Sequence, residues 1–483
     1  MKQLKILLAA SEAVPFSKTG GLADVAGSLP LALSSLGEKI AVFLPYYRLT
    51  KNRDFGIKFL QKGLKAKWGN WNPDFSLYHC KKENVDFYFI DEKEYFNRDF
   101  IYGTPLGDYP DNAERFGFFA NSVLSSAQAL NFKPDIIHCN DWHTALIPFY
   151  LKYKLANQGF FKNTKILFTI HNLAYQGVFP KEVISKLGIG CEFFVPESLE
   201  FYGKLNFIKS GILYSDAITT VSRGYAKEIL TKKFGCGLEG LLALRKKNLY
   251  GIANGADYRQ WNPRTDKLIK VNYDRKSLRN KLECKKDLLK QTKLSLSPAL
   301  PLLGVISRLT QQKGIDIIID SIPRVVTLSC GLVILGVGDE KYHKKLLALA
   351  KKYPQNIAVR IGFDNKLAHR IEAGCDMFLM PSRYEPGGLS QLYSLKYGTI
   401  PIVRAVGGLN DTIIDYGKNP DSGNGFKFST LRPDDFIGAL KRAISVYKNK
   451  KEWKNILLRI MKLDFSWEES AKEYIKVYQS IMR

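Results

Sequence analysis

The chain has 483 residues, is 45% hydrophobic and 24% charged, and carries a formal net charge of +26. That length predicts two to four domains with real cores, and no apolar run reaches the roughly 18 residues of a membrane helix. The 72 basic residues are spread along the chain, often as pairs such as Lys285-Lys286 and Lys344-Lys345, so they read as a solvated surface rather than a nucleic-acid footprint, with a few free to meet an anion. The opening residues, MKQLKILLAASEAVPF, place Glu12 where a signal peptide would need a small-residue cleavage site, so a cytoplasmic protein is expected.

Residues 4–9 predict a strand. A long loop, SEAVPFSKTGG, follows, then a helix over 22–36 stopped by Gly37 and a strand over 39–44. This βαβ unit lacks the G-x-G-x-x-G spacing of a dinucleotide site. Lys18 on its loop can reach a phosphate as a point charge, and Gly20 and Gly21 allow close backbone approach. Residues 50–105 read as a β-rich insertion, and 115–130 as a helix. The strand over 135–138 ends in CNDWHTA and that over 165–170 in HNLAYQG, which puts Asp141 and His171 at strand ends. In open α/β sheets, ligands bind outside the carboxyl ends of strands. Three such ends carrying Lys18, Asp141 and His171 on one side of a sheet therefore predict a site. Residues 178–250 read as helical with one strand, 217–221. LYGIANGADYRQWNP reads as an interdomain crossing and 267–293 as a charged helix.

The pattern then restarts. A strand over 301–306 leads to SRLTQQKG and a helix over 315–326, with Arg308 and Lys313 on the loop where Lys18 stood in the first half. Strands at 332–335 and 357–361 follow, then a helix to 374. Residues 376–408, DMFLMPSRYEPGGLSQLYSLKYGTIPIVRAVGG, read as strand, loop, helix and strand. Glu385 lies between a strand end and a helix start, where bare glycine amides suit an anion or a hydroxyl-rich ligand. A strand at 425–428 and helices over 433–448 and 467–482 close the chain. Two doubly wound halves result, divided near residue 260, with a cleft expected between them. The seven scattered cysteines contain no C-x-x-C pair and the six histidines no ligand spacing, so neither disulfides nor a metal site is expected.

The blocks KTGGLADVAGSLP (18–30), YPDNAERF (109–116), NDWHTAL (140–146), HNLAYQG (171–177), NGAD (254–257), SRLTQQKG (307–314) and MPSRYEPGGLSQLYSLKYGTIPIVRAVGGLNDT (380–412) resemble, in order and spacing, the bacterial glycogen synthase and starch synthase family. FSWEESAKEY (465–474) is similar to that family's C-terminal helix. The resemblance implies an α/β protein of the GT-B class: two Rossmann-like domains facing across a cleft, 1–258 on the acceptor side and 259–464 on the donor side, with 465–483 returning to the first. It implies retaining transfer of glucose from ADP-glucose to an α-1,4-glucan, with no metal, cofactor, membrane or nucleic acid. Nearby alternatives are UDP-glucose as donor, another acceptor such as one leading to sucrose or trehalose, or a non-catalytic glucan-binding homologue.

The same resemblance implies residue roles. Arg308 and Lys313 would stabilise the leaving diphosphate, and Lys18 would join them. Glu385, His171 and Asp141 would contact the transferred glucose, and Phe363 would stack on adenine. Backbone amides at Gly20, Gly21, Gly387, Gly388 and Leu389 would complete the donor site. Tyr109, Asp24, Asn254 and Asp257 would lie toward the acceptor. One departure stands out: the family reads Glu-Pro-Cys-Gly-Leu, and this chain has Gly387 in place of the cysteine. Glycine preserves a backbone amide but removes a thiol that could pack against substrate. No residue nominates itself as a second carboxylate for double displacement, so a same-face, ion-pair-like displacement is expected.

Overall fold

The structure is a computed structural model that describes residues 3–66, 73–155 and 159–483. Part of the expected 50–105 insertion, residues 67–72, lies outside the described residues. The chain forms two compact units, one of residues 1–253 with 467–483 and one of 254–466.

The first unit is built on nine strands: β1 (Lys5–Ala9), β2 (Lys39–Pro45), β3 (Lys58–Lys65), β4 (Asp74–Lys82), β5 (Val85–Asp91), β6 (Ile136–Asn140), β7 (Lys165–Ile170), β8 (Ala217–Thr220) and β9 (Leu249–Gly251). Their order is β9-β8-β7-β6-β1-β2-β5-β4-β3. Pairing is parallel except at β5/β4 and β4/β3, which form the antiparallel insertion. Strands such as β1, KILLA, are buried along nearly their whole length, as a sheet covered on both faces requires. Helix α1 (Gly21–Ser35) follows β1, and α2 (Asn112–Ala129) precedes β6.

The second unit is a wholly parallel sheet of β10 (Leu302–Ile306), β11 (Gly331–Gly336), β12 (Ile357–Ile361), β13 (Met377–Met380), β14 (Ile400–Arg404) and β15 (Phe426–Phe428). The order is β12-β11-β10-β13-β14-β15. Helix α3 (Asn280–Gln291) precedes β10. Helices α4 (Ile315–Thr327), α5 (Glu340–Lys352), α6 (Asn365–Gly374), α7 (Ser390–Tyr397) and α8 (Gly407–Thr412) follow successive strands, and α9 (Pro433–Lys448) and α10 (Lys450–Ile460) end the unit. In both sheets the order reverses beside the first strand. The loops leaving β1 and β10 therefore open at the switch point where α/β sheets bind ligands. Helix α11 (Trp467–Met482) belongs to the first unit. Its Trp467, Tyr474 and Tyr478 share a core with Leu8, Val25, Leu29 and Leu33.

Three expectations need correction. Residues 178–250 hold short helices and the expected strand, β8, but also β9 and a small antiparallel sheet of Val178–Pro180, Glu200–Phe201 and Lys204–Asn206. Its hairpin turns on Tyr202 (φ 50°) and Gly203 (φ 76°), a pair of positive-φ positions usually signalled by Asn-Gly. Only Asn280–Gln291 of the expected 267–293 helix forms, because Asp266 and Asp274 accept backbone N–H groups from Leu268, Lys276 and Ser277 and so hold the chain in turns. Finally, α10 is an extra helix before the last one. It starts where the Asn449 side chain caps the Glu452 amide.

Candidate active site

In the second unit, the site begins with the loop leaving β10. Arg308 is exposed, and its guanidinium donates to Gln312 Oε1 at 3.0 Å. Lys313 ends a short helical turn, and Gly314 follows at φ 70°. A Cβ on Gly314 would lie 2.0 Å from the Pro381 carbonyl oxygen, so only glycine lets this loop pass so close to the loop leaving β13. That approach brings Lys313 Nζ to 2.8 and 2.6 Å from the two carboxylate oxygens of Glu385. Glu385 is only 5% exposed and also accepts from Ser382 Oγ at 2.9 Å. A buried carboxylate is stable here because a cation and a hydroxyl face it.

The loop carrying Glu385 is fastened from behind. Buried Arg404 donates to the carbonyls of Ser382 (3.2 Å), Arg383 (2.7 Å) and Ser429 (3.0 Å). Arg383 forms a two-pronged ion pair with Asp316 at the start of α4, at 2.7 and 2.6 Å. Gly388 sits at φ 69°, and α7 starts at Ser390 rather than at the glycines. The Gly408 amide donates to the carbonyls of Glu385 (3.0 Å) and Pro386 (3.2 Å). Phe363 follows Gly362 (φ 136°) beyond β12 and is 91% exposed, a large flat face turned to solvent. Asn254 and Asp257 stand at the start of this unit. Asn254 Oδ1 is buried with no hydrogen-bond partner, and Asp257 accepts from the backbone and side chain of Arg259 at 3.1 and 3.2 Å.

In the first unit, Lys18 pairs with Asp24 at 2.7 Å. Thr19 beside it donates its N–H and its hydroxyl to the buried carboxyl of Glu12. Burial pushes the Glu12 carboxyl up to about 7. Gly20 is the residue before α1 and Gly21 its first residue. Asp141 adopts φ 56° and ψ −176°, and its Oδ1 accepts the His171 amide at 2.7 Å. Burial pushes this carboxyl to about 7 as well, against the pull of hydrogen bonds from the His171 and Asn172 amides. The His171 ring lies with Nε2 2.9 Å from Asn140 Oδ1. Asn140 Nδ2 donates to the Ala9 carbonyl, so its Oδ1 is the acceptor and Nε2 carries the proton. Burial holds this ring down at about 3. It is therefore a neutral imidazole at neutral pH, with Nδ1 available as an acceptor. Tyr109 is half-buried, with the guanidinium groups of Arg98 and Arg115 at 4.7 and 4.9 Å from its ring.

The structure thus gathers Lys313 and Glu385 into direct contact, with Gly387, Gly388 and Arg308 on the same or the adjoining loop. In the first unit it joins Asp141 to His171 and Lys18 to Asp24. Sequence reasoning missed Glu12, Ser382, Arg383 and Arg404. Glu12 lies on the SEAVPFSKTGG loop and Ser382 within residues 376–408, but only burial and partners separate them from ordinary loop residues.

Two Rossmann-type units, each with its candidate residues at strand ends, are the architecture of the two-domain class of glycosyltransferases. Residues 290–456 match the family model "Glycosyl transferases group 1", and residues 5–244 match "Starch synthase catalytic domain". The chain is 45% identical over 479 residues to a glycogen synthase of Geotalea daltonii, covering 99% of each. It is 46% identical over 477 residues to that of Koribacter versatilis, covering 99% of this chain and 98% of the other. The catalytic domain of starch synthase IV from Arabidopsis thaliana, solved bound to ADP and acarbose, superposes with a TM-score of 0.93 at 31% identity over the full length of both chains. The chain belongs to the glycogen and starch synthase family.

Proposed function

We propose that the chain transfers glucose from ADP-glucose to the non-reducing end of an α-1,4-glucan, with retention at the anomeric carbon. The observation that carries this reading is the Lys313–Glu385 pair: a buried carboxylate and an ammonium joined at a strand-end switch point. Its supports are the full-length likeness to glycogen synthases and to a starch synthase that binds ADP and acarbose.

Departure of the nucleotide places negative charge on the diphosphate, and Arg308 and Lys313 supply fixed positive charge for it. Lys18 exchanges Asp24 for an anionic group of the substrate. Glu385 accepts hydrogen bonds from glucose hydroxyls and favours the positive charge that grows on the ring. The neutral His171 accepts from a glucose hydroxyl at Nδ1, while Asp141 holds its backbone. Phe363 stacks on adenine, and Tyr109, Asp24, Asn254 and Asp257 serve the acceptor side. The departing phosphate, on the same face as the incoming hydroxyl, takes the acceptor proton. No glucosyl-enzyme forms, so intact-protein mass spectrometry during turnover should show no added hexose on Asp141 or Glu385.

The test is a donor panel, ADP-glucose against UDP-glucose with glycogen as acceptor. ADP-glucose is expected to be the better donor. Glu385→Ala is expected to lower kcat by about 10²- to 10³-fold, the cost of losing one preorganised electrostatic contact. Incorporation into glycogen that is equal in wild type and Glu385→Ala, or absent in both, would overturn the reading.

A further inference from the structure

We infer that Gln391 is a positioning residue that turns the backbone amides of Gly388 and Leu389 outward. The inference rests on the reading above, in which those amides face the donor. Gln391 is the second residue of α7 and is fully buried. Its Nε2 donates to the Gly387 carbonyl at 3.3 Å, the Gly388 carbonyl at 3.1 Å and Thr412 Oγ1 at 3.3 Å. Two of these partners are carbonyl oxygens, which only accept, so the NH₂ end of the amide must face them. The Oε1 end is buried without a donor. An orphaned buried acceptor costs stability, and this one marks the side-chain amide as fixed by what its NH₂ group does.

The consequence follows from peptide geometry. In a planar trans peptide the N–H points opposite to the C=O that precedes it. Drawing the carbonyls of Gly387 and Gly388 toward Gln391 therefore directs the N–H groups of Gly388 and Leu389 away from it. Gly388 adds a second requirement: at φ 69°, a Cβ there would lie 2.5 Å from Gln391 Oε1, so no side chain stands beside these amides at that position. Thr412, the third partner, donates to the Gly408 carbonyl at 2.7 Å. The Gly408 amide in turn holds the carbonyls of Glu385 and Pro386. One side chain thus ties the amides after Glu385 to the loop that fixes Glu385 itself.

The experiment compares Gln391→Leu, which removes the donors at similar volume, with Gln391→Glu, which keeps the shape and turns an oxygen toward the two carbonyls. KM for ADP-glucose, KM for glycogen and kcat are measured, with the Kd of ADP alone by calorimetry and the melting temperature of each protein. Both variants are expected to raise the ADP-glucose KM and the ADP Kd by about tenfold, the equivalent of one good hydrogen bond. The glycogen KM should stay at the wild-type value. Thr412→Val, which removes one contact, should shift the donor constants in the same direction by about threefold. If Gln391→Leu does not fold, Gln391→Glu carries the comparison. Donor KM and ADP Kd within about twofold of wild type in the variants would overturn the inference. So would an equal loss of donor and glycogen affinity, which a purely structural role produces. A wild-type chain that neither binds ADP nor transfers glucose would overturn the functional reading instead.

Discussion

Asp141 combines two costs at one residue. Its φ of 56° with ψ of −176° lies in a region that only glycine visits freely, and holding it there costs about 1–3 kcal/mol. Its carboxyl is also raised to about 7 by burial. Both costs are tolerated because the carboxylate holds the His171 amide, which fixes where the ring stands. Asp141→Ala loses the carboxylate and keeps the backbone strain, whereas Asp141→Gly loses both. The glycine variant should be the more stable of the two by about 1–2 kcal/mol in chemical denaturation, with activity low in each. A pH effect accompanies this. The folded-state carboxyl titrates above its ordinary range, so the wild type loses stability as pH rises from about 4 through about 7, and neither variant carries that loss. The deficit of both variants relative to wild type should therefore narrow by about 4 kcal/mol between pH 4 and pH 8. Gly387 poses the opposite case, a residue defined by what it lacks. Its carbonyl is engaged by Gln391, so its contribution is backbone, and Gly387→Cys should change kcat/KM by less than about threefold, in steady-state assays with ADP-glucose. Asp141 and His171 were legible in the sequence because each ends an apolar run followed by loop residues. The strain at Asp141 and the buried carboxyl of Glu12 were not, since both arise from packing by segments distant in the chain.

At the scale of elements, the second unit's site depends on two loops that touch. The loop after β10 reaches the loop after β13 only because Gly314 has no side chain, and the contact is pinned by Arg383 to Asp316 and by the Arg383 amide to the Gln312 carbonyl at 2.8 Å. Gly314→Ala adds a methyl 2.0 Å from the Pro381 carbonyl oxygen at φ 70°. The loops must then part, at a cost of about 2–4 kcal/mol. Separation moves Lys313 off Glu385, so this variant should lose at least about tenfold in kcat while circular dichroism still reports a folded chain. Full activity in Gly314→Ala would show that the loop contact is dispensable. The strand-loop-helix repeat behind this arrangement was readable because apolar runs, glycines and lysines recur in the same order in both halves. Its failures were also physical. The 267–279 stretch carries lysines in helical spacing, yet Asp266 and Asp274 capture backbone amides locally. The Tyr202-Gly203 turn hides a hairpin behind a residue that rarely signals one.

Across the whole molecule, the helix of residues 467–482 is part of the first unit, so that unit cannot complete its core until those residues have been made. Tyr478 is fully buried, and its hydroxyl lies 2.8 Å from His138 Nδ1 on β6. The other ring nitrogen of His138 lies 2.6 Å from Thr169 Oγ1 on β7. Burial holds this imidazole down at about 3, so it is neutral at neutral pH with one proton to give. If Nε2 donates to Thr169, Nδ1 accepts from Tyr478. Tyr478→Phe then leaves a buried ring nitrogen without a partner, which costs about 1–3 kcal/mol. Deleting residues 467–483 removes Trp467, Tyr474 and Tyr478 together, three large side chains from one core. At about 3–5 kcal/mol for each large aromatic, the loss is as large as the whole stability of an ordinary domain. Differential scanning calorimetry should therefore resolve an effect confined to one unit. Tyr478→Phe should lower the transition of the first unit and leave that of residues 254–466 in place, and the truncated chain should retain only the second transition. Equal shifts of both transitions in Tyr478→Phe would show that the two units unfold as one, and an unchanged first transition in the truncated chain would show that α11 contributes no stability to that core.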